Sequence, residues 1–287
     1  MSTSIEQLSL DALGTTGEEV TFEVTADAIR SYAQATGDAS QPALEGRVAT
    51  PAFAIVPVWE AIAPASRSVA TDEARKRVVH YEQDMHLHLP IAAGMTLVSR
   101  AAPVALLPRA SGTSLVIRTE SRTESGELVN EQWVTEFFRG IEAPESRGEP
   151  AADHRLSEEV RAGAPLGELT YPIADDQPNR YAAASGDRFE IHLDDDAARA
   201  VGLPGRILHG FCTLAFTARA VCEAAGVDDS TTVRRLAARF SAPVYPGDSL
   251  TTRVWRLDDG SFGFEAACGP DRIVIKDGRA QIGHDGS

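Results

Sequence analysis

The sequence is poor in the residues that mark several classes of protein. Of 287 residues three are cysteine, 6% are aromatic, and 27 are basic against 42 acidic, which gives a formal net charge of −15. So few cysteines exclude a disulfide scaffold, and an acidic chain without a basic cluster is unsuited to nucleic acid. No run approaches the roughly 18 apolar residues of a membrane helix, and the start, MSTSIEQLSLDALG, lacks a signal-peptide pattern. We expect a soluble, cytoplasmic protein with buried thiols.

Periodicity in the first half predicts helices followed by consecutive strands. Residues 20–24 alternate as a strand does, and Thr25 is a suitable N-cap for a helix over 26–36, which Gly37 ends. An apolar helix over 51–62, kinked at Pro57, comes next. Strands are predicted over 77–89, 95–106, 112–120 and 128–139. Residues 140–158 are rich in Pro, Glu, Ala and Gly, so we place domains at 1–140 and 161–287, joined by a linker at 141–160.

The second half of the chain repeats the first. The segment YAQATGD at 32–38 matches YAAASGD at 181–187, and PIAAGMTL at 90–97 matches PVYPGDSL at 243–250. Two matches in the same order indicate a duplication. The position equivalent to His192 is Ala43, so one copy retains an aspartate but lacks the histidine.

Each copy therefore has an α+β pattern, with a central helix that supplies the missing face of an antiparallel sheet. In the second copy the helix is predicted over 211–225 with one apolar face, formed by Phe211, Leu214, Ala215, Ala218, Val221, Cys222 and Ala225. Its strands are predicted over 233–245, 250–257, 262–267 and 273–282.

A short segment before the second central helix carries the candidate chemistry. Asp187 and His192 form a carboxylate–imidazole pair suited to proton transfer, because imidazole titrates near neutrality and a carboxylate can fix its tautomer. The amide of Gly210 lies at a helix start, where N–H groups have no intrahelical acceptor and can hold a carbonyl oxygen as it becomes negative. This combination favours proton transfer next to a carbonyl.

These residues also have structural interpretations. Asp187 follows a glycine at a helix end, where short polar side chains form turns, and His192 and His209 can be buried histidines bonded to backbone. The aspartates at 194–196 fit a solvated helix start. Two histidines and a carboxylate can also bind a metal ion. No compact ligand motif supports that interpretation, and we predict no metal.

The segment YAAASGDRFEIHLDDDAARAVGLPGRILHGFCTLAF, at 181–216, resembles the hydratase motif of the MaoC-like, or type 2, (R)-specific enoyl-CoA hydratases. The resemblance extends to ARFSAPVYPGDSL and, more loosely, to VVHYEQDMHLHLPIAAG, LLPRASG and GELVNEQWVTEFFRG, and so covers most of the chain. It implies a double hotdog fold, in which each of two units has a long helix wrapped by an antiparallel sheet.

The resemblance also implies a site. Asp187 and His192 are then the catalytic pair, and Gly210 N–H is the oxyanion donor. The implied substrate-binding residues, some of them from the first half, are His80, Tyr81, Arg109, Phe189, His209 and Phe240. The family has Asn-Pro where this chain has Phe189 and Glu190, commonly lysine at Arg109, and glycine at Tyr81.

The implied reaction is the reversible hydration of a trans-2-enoyl-CoA to a (3R)-3-hydroxyacyl-CoA. The resemblance further implies a homodimer that needs no cofactor, since CoA is part of the substrate. Two alternatives stay open. One is a non-catalytic acyl-CoA-binding hotdog protein or partner subunit of a hydratase, and the other is a hotdog thioesterase.

Overall fold

Strand β1 (Val20–Glu23) and helix α1 (Ala26–Thr36) show how local sequence sets the elements. The structure, a computed structural model, describes residues 7–283. Residues 1–6, which begin the stretch predicted to lack a signal-peptide pattern, and residues 284–287 lie outside the described residues. The Thr25 hydroxyl accepts a hydrogen bond from Ala28 N at 3.1 Å. Gly37 adopts φ 66°, the left-handed conformation that ends helices. The predicted helix over 26–36 is confirmed at both ends.

The other elements follow in chain order. The first half continues with α2 (Gln41–Leu44), a 3₁₀ helix (Pro51–Val58), α3 (Trp59–Val69), α4 (Asp72–Arg75), β2 (Val78–Leu87), β3 (Thr96–Arg109), β4 (Gly112–Thr123) and β5 (Leu128–Arg139). The second half contains α5 (Glu158–Ala162), β6 (Gly167–Pro172), α6 (Gln177–Ser185), a 3₁₀ helix (Glu190–His192), α7 (Asp195–Ala200), α8 (Gly210–Ala225), a 3₁₀ helix (Ser230–Thr232), β7 (Val233–Phe240), β8 (Ser249–Arg256), β9 (Phe262–Cys268) and β10 (Ile273–Ile282).

The chain forms two compact units that differ from its sequence halves. Unit 1 comprises the described residues of Met1–Phe22, with Pro57–Met85 and Thr96–Asp153. Unit 2 comprises Glu23–Val56, His86–Met95 and the described residues of His154–Ser287. Within the predicted linker, Arg147 pairs with Leu106 of unit 1, while Leu156 N donates to Asp277 Oδ1 of unit 2. The division at 1–140, 141–160 and 161–287 stays a prediction.

The two halves have the same strand order. It is β1-β3-β4-β5-β2 in the first half and β6-β8-β9-β10-β7 in the second. In the first half α3 packs against β3 and β4, over a core that includes Leu115, Ile117 and Val134. In the second half α8 packs against all five strands. The α+β class is confirmed, and the two copies form the predicted double hotdog fold.

Helix α8 is buried more completely than an amphipathic helix. Of the predicted apolar face all but Ala225 are buried, and so are Cys212, Phe216 and Ala220 on other sides. A central helix wrapped by a sheet has little solvent-facing surface, which explains why one apolar stripe was too narrow a prediction. The three cysteines are buried free thiols, as predicted.

The duplication is visible in equivalent backbone hydrogen bonds. Gly94 N donates to Val24 O at 2.8 Å, and Gly247 N donates to Ile173 O at 2.8 Å. The two glycines have φ 89° and 88°, a left-handed turn that favours glycine in both copies. These glycines are equivalent positions of the repeat, so the copies share local geometry as well as sequence.

Two predicted segments need correction. The helix predicted over 51–62 is a 3₁₀ helix to Val58, and the α-helix begins only at Trp59 and continues to Val69. The ring of Pro57 would clash with the carbonyl four residues earlier in an α-helix, which disfavours α-helical geometry in this segment. The strand predicted over 233–245 ends at Phe240. Among residues 7–283, none of the helices is both long enough and apolar enough to cross a bilayer.

Candidate active site

Asp187 lies just beyond the end of α6. Gly186 ends this helix with φ 82°, and Ser185 Oγ accepts a hydrogen bond from Asp187 N at 3.2 Å. Asp187 Oδ1 accepts from Phe189 N at 3.1 Å, which is the turn interaction expected of a short carboxylate. The turn therefore uses one carboxylate oxygen and leaves the other, Oδ2, without a hydrogen-bond partner within the described part of the chain.

His192 ends the 3₁₀ helix Glu190–His192 and is 9% exposed. Its Nδ1 lies 3.0 Å from Ile207 O. Because a carbonyl oxygen only accepts, Nδ1 carries the hydrogen, and the neutral ring presents its lone pair at Nε2. After His192, Asp194 caps α7 by accepting from Ala197 N at 2.8 Å. The helix start predicted at 194–196 is thus confirmed. It holds the backbone in place two residues after His192.

The side chains of Asp187, His192 and His209 converge. One nitrogen or oxygen atom from each lies within 4.8 Å of the others. Across residues 7–283 no direct hydrogen bond joins the Asp187 carboxylate to the His192 ring. Two hydrogen bonds of about 2.8 Å that meet at one oxygen atom can span such a gap. The geometry therefore suits a small polar molecule held between the carboxylate and the imidazole.

Burial acts in opposite directions on the two groups. It raises the pKa of Asp187 above 3.8, against the charge of His192 and the Phe189 N–H, which lower it. It lowers the pKa of His192 below 6.5, against the hydrogen bond to Ile207 O and the charge of Asp187, which raise it. The two pKa values move toward each other. Proton transfer through the pair is therefore easier than between an exposed aspartate and histidine.

His209 is the N-cap residue of α8 and is 1% exposed. Its Nε2 lies 3.0 Å from Asp187 O, so Nε2–H donates to the main chain of the aspartate. Its ring stacks on His192 with centroids 3.9 Å apart, and its centroid lies 4.8 Å from that of the Tyr181 ring. Burial, with a contribution from His192, lowers the pKa of His209 to about 3.

Gly210 is the first residue of α8, so its N–H has no intrahelical acceptor and lies at the positive end of the helix dipole. A Cβ at this position would lie 3.2 Å from the Phe240 ring. Phe240, the last residue of β7, therefore lies directly beside the helix start, and the structure brings this predicted substrate-binding residue to the site.

Of the other predicted substrate-binding residues, three belong to unit 1, and Phe189 lies beside His192. His80 and Tyr81 are on β2 and Arg109 ends β3, all in unit 1. Burial lowers the pKa of His80 to about 4, and Tyr81 packs against Phe137 at 5.5 Å. Phe189 is 61% exposed, with its ring 6.3 Å from His192. Substrate contacts for these residues, for His209 and for Phe240 stay predictions.

The cluster is poorly shaped for a metal ion. The rings of His192 and His209 are nearly parallel, with 25° between their planes. Imidazole lone pairs lie in the ring plane, so stacked rings direct them side by side rather than toward one point. An ion about 2.0–2.1 Å from both nitrogens would lie well outside at least one ring plane. We assign no metal to this cluster.

Two contributors to the site were not predicted. Ile207 acts through its carbonyl oxygen, which orients His192, and no side-chain pattern reveals a main-chain acceptor. Tyr181 supports His209 by ring contact. Tyr181 belongs to the repeated YAAASGD segment and is equivalent to Tyr32. A tyrosine kept in both copies was a signal for a buried supporting residue, and both tyrosines are buried.

Two family models match the chain. One, described as MaoC like domain, matches residues 158–269, and the other, the MFE-2 hydratase 2 N-terminal domain, matches residues 45–140. The first match contains Asp187, His192 and Gly210. The second contains His80, Tyr81 and Arg109. Each match lies in one copy of the repeat, although the segment YAQATGD at 32–38 lies before the second match.

Curated relatives and solved structures agree with these matches. The chain is 32% identical to a 3-hydroxyacyl-thioester dehydratase Y of Mycobacterium tuberculosis, over 71% of this chain and 72% of the relative. It is 28% identical to a peroxisomal enoyl-CoA hydratase 2 of Arabidopsis thaliana, over 62% of this chain and 60% of the relative. The fold is similar to that of a MaoC-like dehydratase from Phytophthora capsici, with TM-score 0.83, 20% identity and coverage of 97% and 99%.

Proposed function

Since the chain belongs to the MaoC-like family of hydratases and dehydratases, we propose that it catalyses the reversible hydration of a trans-2-enoyl-CoA to a (3R)-3-hydroxyacyl-CoA. The observation that carries the proposal is the gap between the Asp187 carboxylate and the His192 imidazole, beside His209, the residue that precedes the first helical N–H of α8 at Gly210.

The proposed reaction adds one water across the C2–C3 double bond. Water is held between Asp187 and His192, and its oxygen forms the new bond to C3 while the pair takes one of its protons. The π electrons move toward C2 and the thioester carbonyl, whose oxygen becomes negative. Gly210 N–H stabilises this oxygen. The pair then returns one proton to C2, so that the sum is one H and one OH added.

The test follows the loss of enoyl-thioester absorbance with purified protein and a panel of trans-2-enoyl-CoA chain lengths. Asp187→Asn and His192→Gln should each lower kcat by about 10²-fold or more. Asp196→Asn is the matched control, because its carboxylate is exposed and pairs with Arg199 one turn away. Chiral chromatography of the product should show the (3R) isomer. Full activity in either site variant would refute the catalytic assignment.

A second candidate is a non-catalytic acyl-CoA-binding protein or partner subunit of a hydratase. The observation that favours it is Phe189, which is 61% exposed at a motif position where the family has asparagine. An acyl-CoA that raises the melting temperature without turnover on any chain length would support this candidate. Release of free CoA in the same assay would instead indicate a thioesterase.

The proposal includes several expectations from the sequence. No cofactor is needed, because the reaction transfers no electrons and CoA belongs to the substrate. The acidic net charge of −15 disfavours binding to the phosphate backbone of nucleic acid. The three free thiols fit a reducing compartment such as the cytoplasm. A homodimer is also proposed, and light scattering coupled to size-exclusion chromatography tests it directly.

A further inference from the structure

His209 contacts Asp187 and His192 and directly precedes Gly210. Its Nε2–H donates to Asp187 O at 3.0 Å, its ring stacks on His192 with centroids 3.9 Å apart, and its peptide bond joins it to Gly210. A single buried side chain therefore touches the main chain of the carboxylate residue and the ring of the imidazole residue, directly beside the N–H at the start of α8.

The N-cap position makes this arrangement unusual. N-cap side chains are mostly Ser, Thr, Asp or Asn, whose oxygen accepts from the second or third helical N–H. His209 makes no such bond. Its side chain turns toward Asp187 instead, so it does not offset the positive end of the α8 dipole. A capping carboxylate here would bring a negative charge to the place where a thioester oxygen has to become negative.

The hydrogen bond also sets the protonation of His209. A carbonyl acceptor at Nε2 places the lone pair on Nδ1, and Nδ1 is buried without a hydrogen-bond partner among residues 7–283. Burial keeps the ring neutral. A neutral neighbour lets His192 accept a proton without repulsion from a second charge 3.9 Å away.

We propose that His209 is a positioning residue rather than a substrate-binding residue. Its Nε2–H holds the main chain at Asp187 and its ring supports His192, so it fixes the gap in which the water is held. This inference rests on the proposed hydration and adds the group that sets its geometry. Misplacement of reacting groups by about 1 Å can cost about 10²-fold in rate.

Three variants separate the contributions of His209. His209→Gln retains an N–H donor but no ring, His209→Phe retains a ring but no donor, and His209→Ala lacks both. For His209→Ala we expect kcat to fall by about 10²-fold with KM changed less than about threefold. His209→Gln and His209→Phe should each recover part of the loss, and the pH–rate profile of His209→Phe should be displaced from that of the wild type.

The matched control is His154→Phe. His154 is 3% exposed, and its Nδ1 also bonds a main-chain carbonyl, that of Asp277, outside the site. This variant should lose stability but keep kcat and its pH–rate profile. If His209→Ala does not fold, the comparison of His209→Gln with His209→Phe decides, because each keeps one of the two contacts.

A rise in KM at unchanged kcat would overturn the proposal, since that is the effect of a lost substrate contact. Equal kcat in all three variants and the wild type would overturn it as well. If the protein does not catalyse hydration at all, the positioning role of His209 can still be tested. NMR titration of the His192 ring serves this purpose, because it needs no turnover. A His192 titration that is displaced in His209→Phe but not in His154→Phe supports positioning, even for a protein that only binds acyl-CoA. An unchanged titration contradicts it.

Discussion

Tyr32 and Tyr181 occupy equivalent positions of the repeat and meet in the core of unit 2, with their hydroxyl oxygens 3.2 Å apart. Tyr32 OH donates to Ala52 O at 3.0 Å, so Tyr181 OH is the donor of the pair. Beyond Tyr181 the ring contacts continue through His209 to His192. The contact between Tyr32 and Tyr181 thus lies at the end of a row of contacting rings that includes His209 and His192.

The two tyrosine hydroxyls should differ in their contribution to stability. Tyr32→Phe removes a group that both donates and accepts, and it leaves Tyr181 OH and Ala52 O buried without that partner. Tyr181→Phe removes only one donor, and Tyr32 keeps its bond to Ala52. We expect Tyr32→Phe to lower the free energy of unfolding by about 1–3 kcal/mol and Tyr181→Phe by about 1 kcal/mol. Urea unfolding measures both, and the reverse order would contradict the assigned donor direction.

The two equivalent aspartates have different surroundings. Asp38 is 8% exposed, and its carboxylate accepts from Ser40 N at 2.8 Å and from Ser230 Oγ at 2.6 Å. In Asp187 one carboxylate oxygen is bonded, to Phe189 N. In the first copy, which lacks the histidine, the Asp38 carboxylate therefore has a structural role as a hydrogen-bond acceptor.

The same substitution should have opposite effects at the two positions. Asp38→Asn replaces a charge-assisted acceptor and should lower the free energy of unfolding by about 2 kcal/mol with kcat unchanged. Asp187→Asn should abolish most of the turnover. It should leave stability equal or higher, because burial disfavours the Asp187 charge. Denaturant unfolding and the hydration assay, run on both variants, check this. A loss of kcat in Asp38→Asn at full stability would contradict it.

Local signals explain which elements were predictable. Helix α1 was placed at both ends because Thr25 and Gly37 act within one turn of it. The helix start was placed too early because the apolar run over 51–62 continues from the 3₁₀ helix Pro51–Val58 into α3, and its composition does not separate the two. The helix that forms there, α3, packs against β3 and β4, and such contacts between distant segments are not visible in local sequence preference.

The site was predictable to the extent that it depends on spacing. Asp187 and His192 lie on one short segment, so their proximity follows from sequence distance. The contact between His209 and Asp187 joins residues 22 positions apart through a side-chain nitrogen and a main-chain oxygen. No residue pattern encodes which way the His209 ring turns, so its contact with the main chain of Asp187 emerges only from the packed structure.

Protonation of His209 should destabilise the fold at acid pH. The pKa of His209 is about 3 in the folded state against 6.5 for an unperturbed histidine, so the unfolded state binds more protons between these values and stability falls as pH drops through this window. At about 1.4 kcal/mol per unit, the contribution between pH 7 and pH 5 is about 2 kcal/mol. Urea unfolding of the wild type and of His209→Phe at both pH values should show this difference in slope. Equal pH dependence would contradict the buried neutral ring.

A proline at position 210 should test the oxyanion donor with little effect on the helix. Gly210 is the first residue of α8, where proline is favoured and its missing N–H breaks no helical bond. The preceding residue, His209, has ψ 138°, within the extended range that precedes proline. Gly210→Pro therefore deletes the N–H that is proposed to hold the thioester oxygen while the helix persists.

Gly210→Ala is the matched control for this variant. Both substitutions add a Cβ, which would lie 3.2 Å from Phe240, so both should share a destabilisation of about 1 kcal/mol. Only the alanine variant keeps the N–H. We expect kcat of Gly210→Pro to be about 10²–10³-fold below that of Gly210→Ala, with similar circular dichroism and melting temperature. Equal kcat in the two variants would show that the amide of residue 210 is not the oxyanion donor, and that a different N–H group stabilises the negative oxygen.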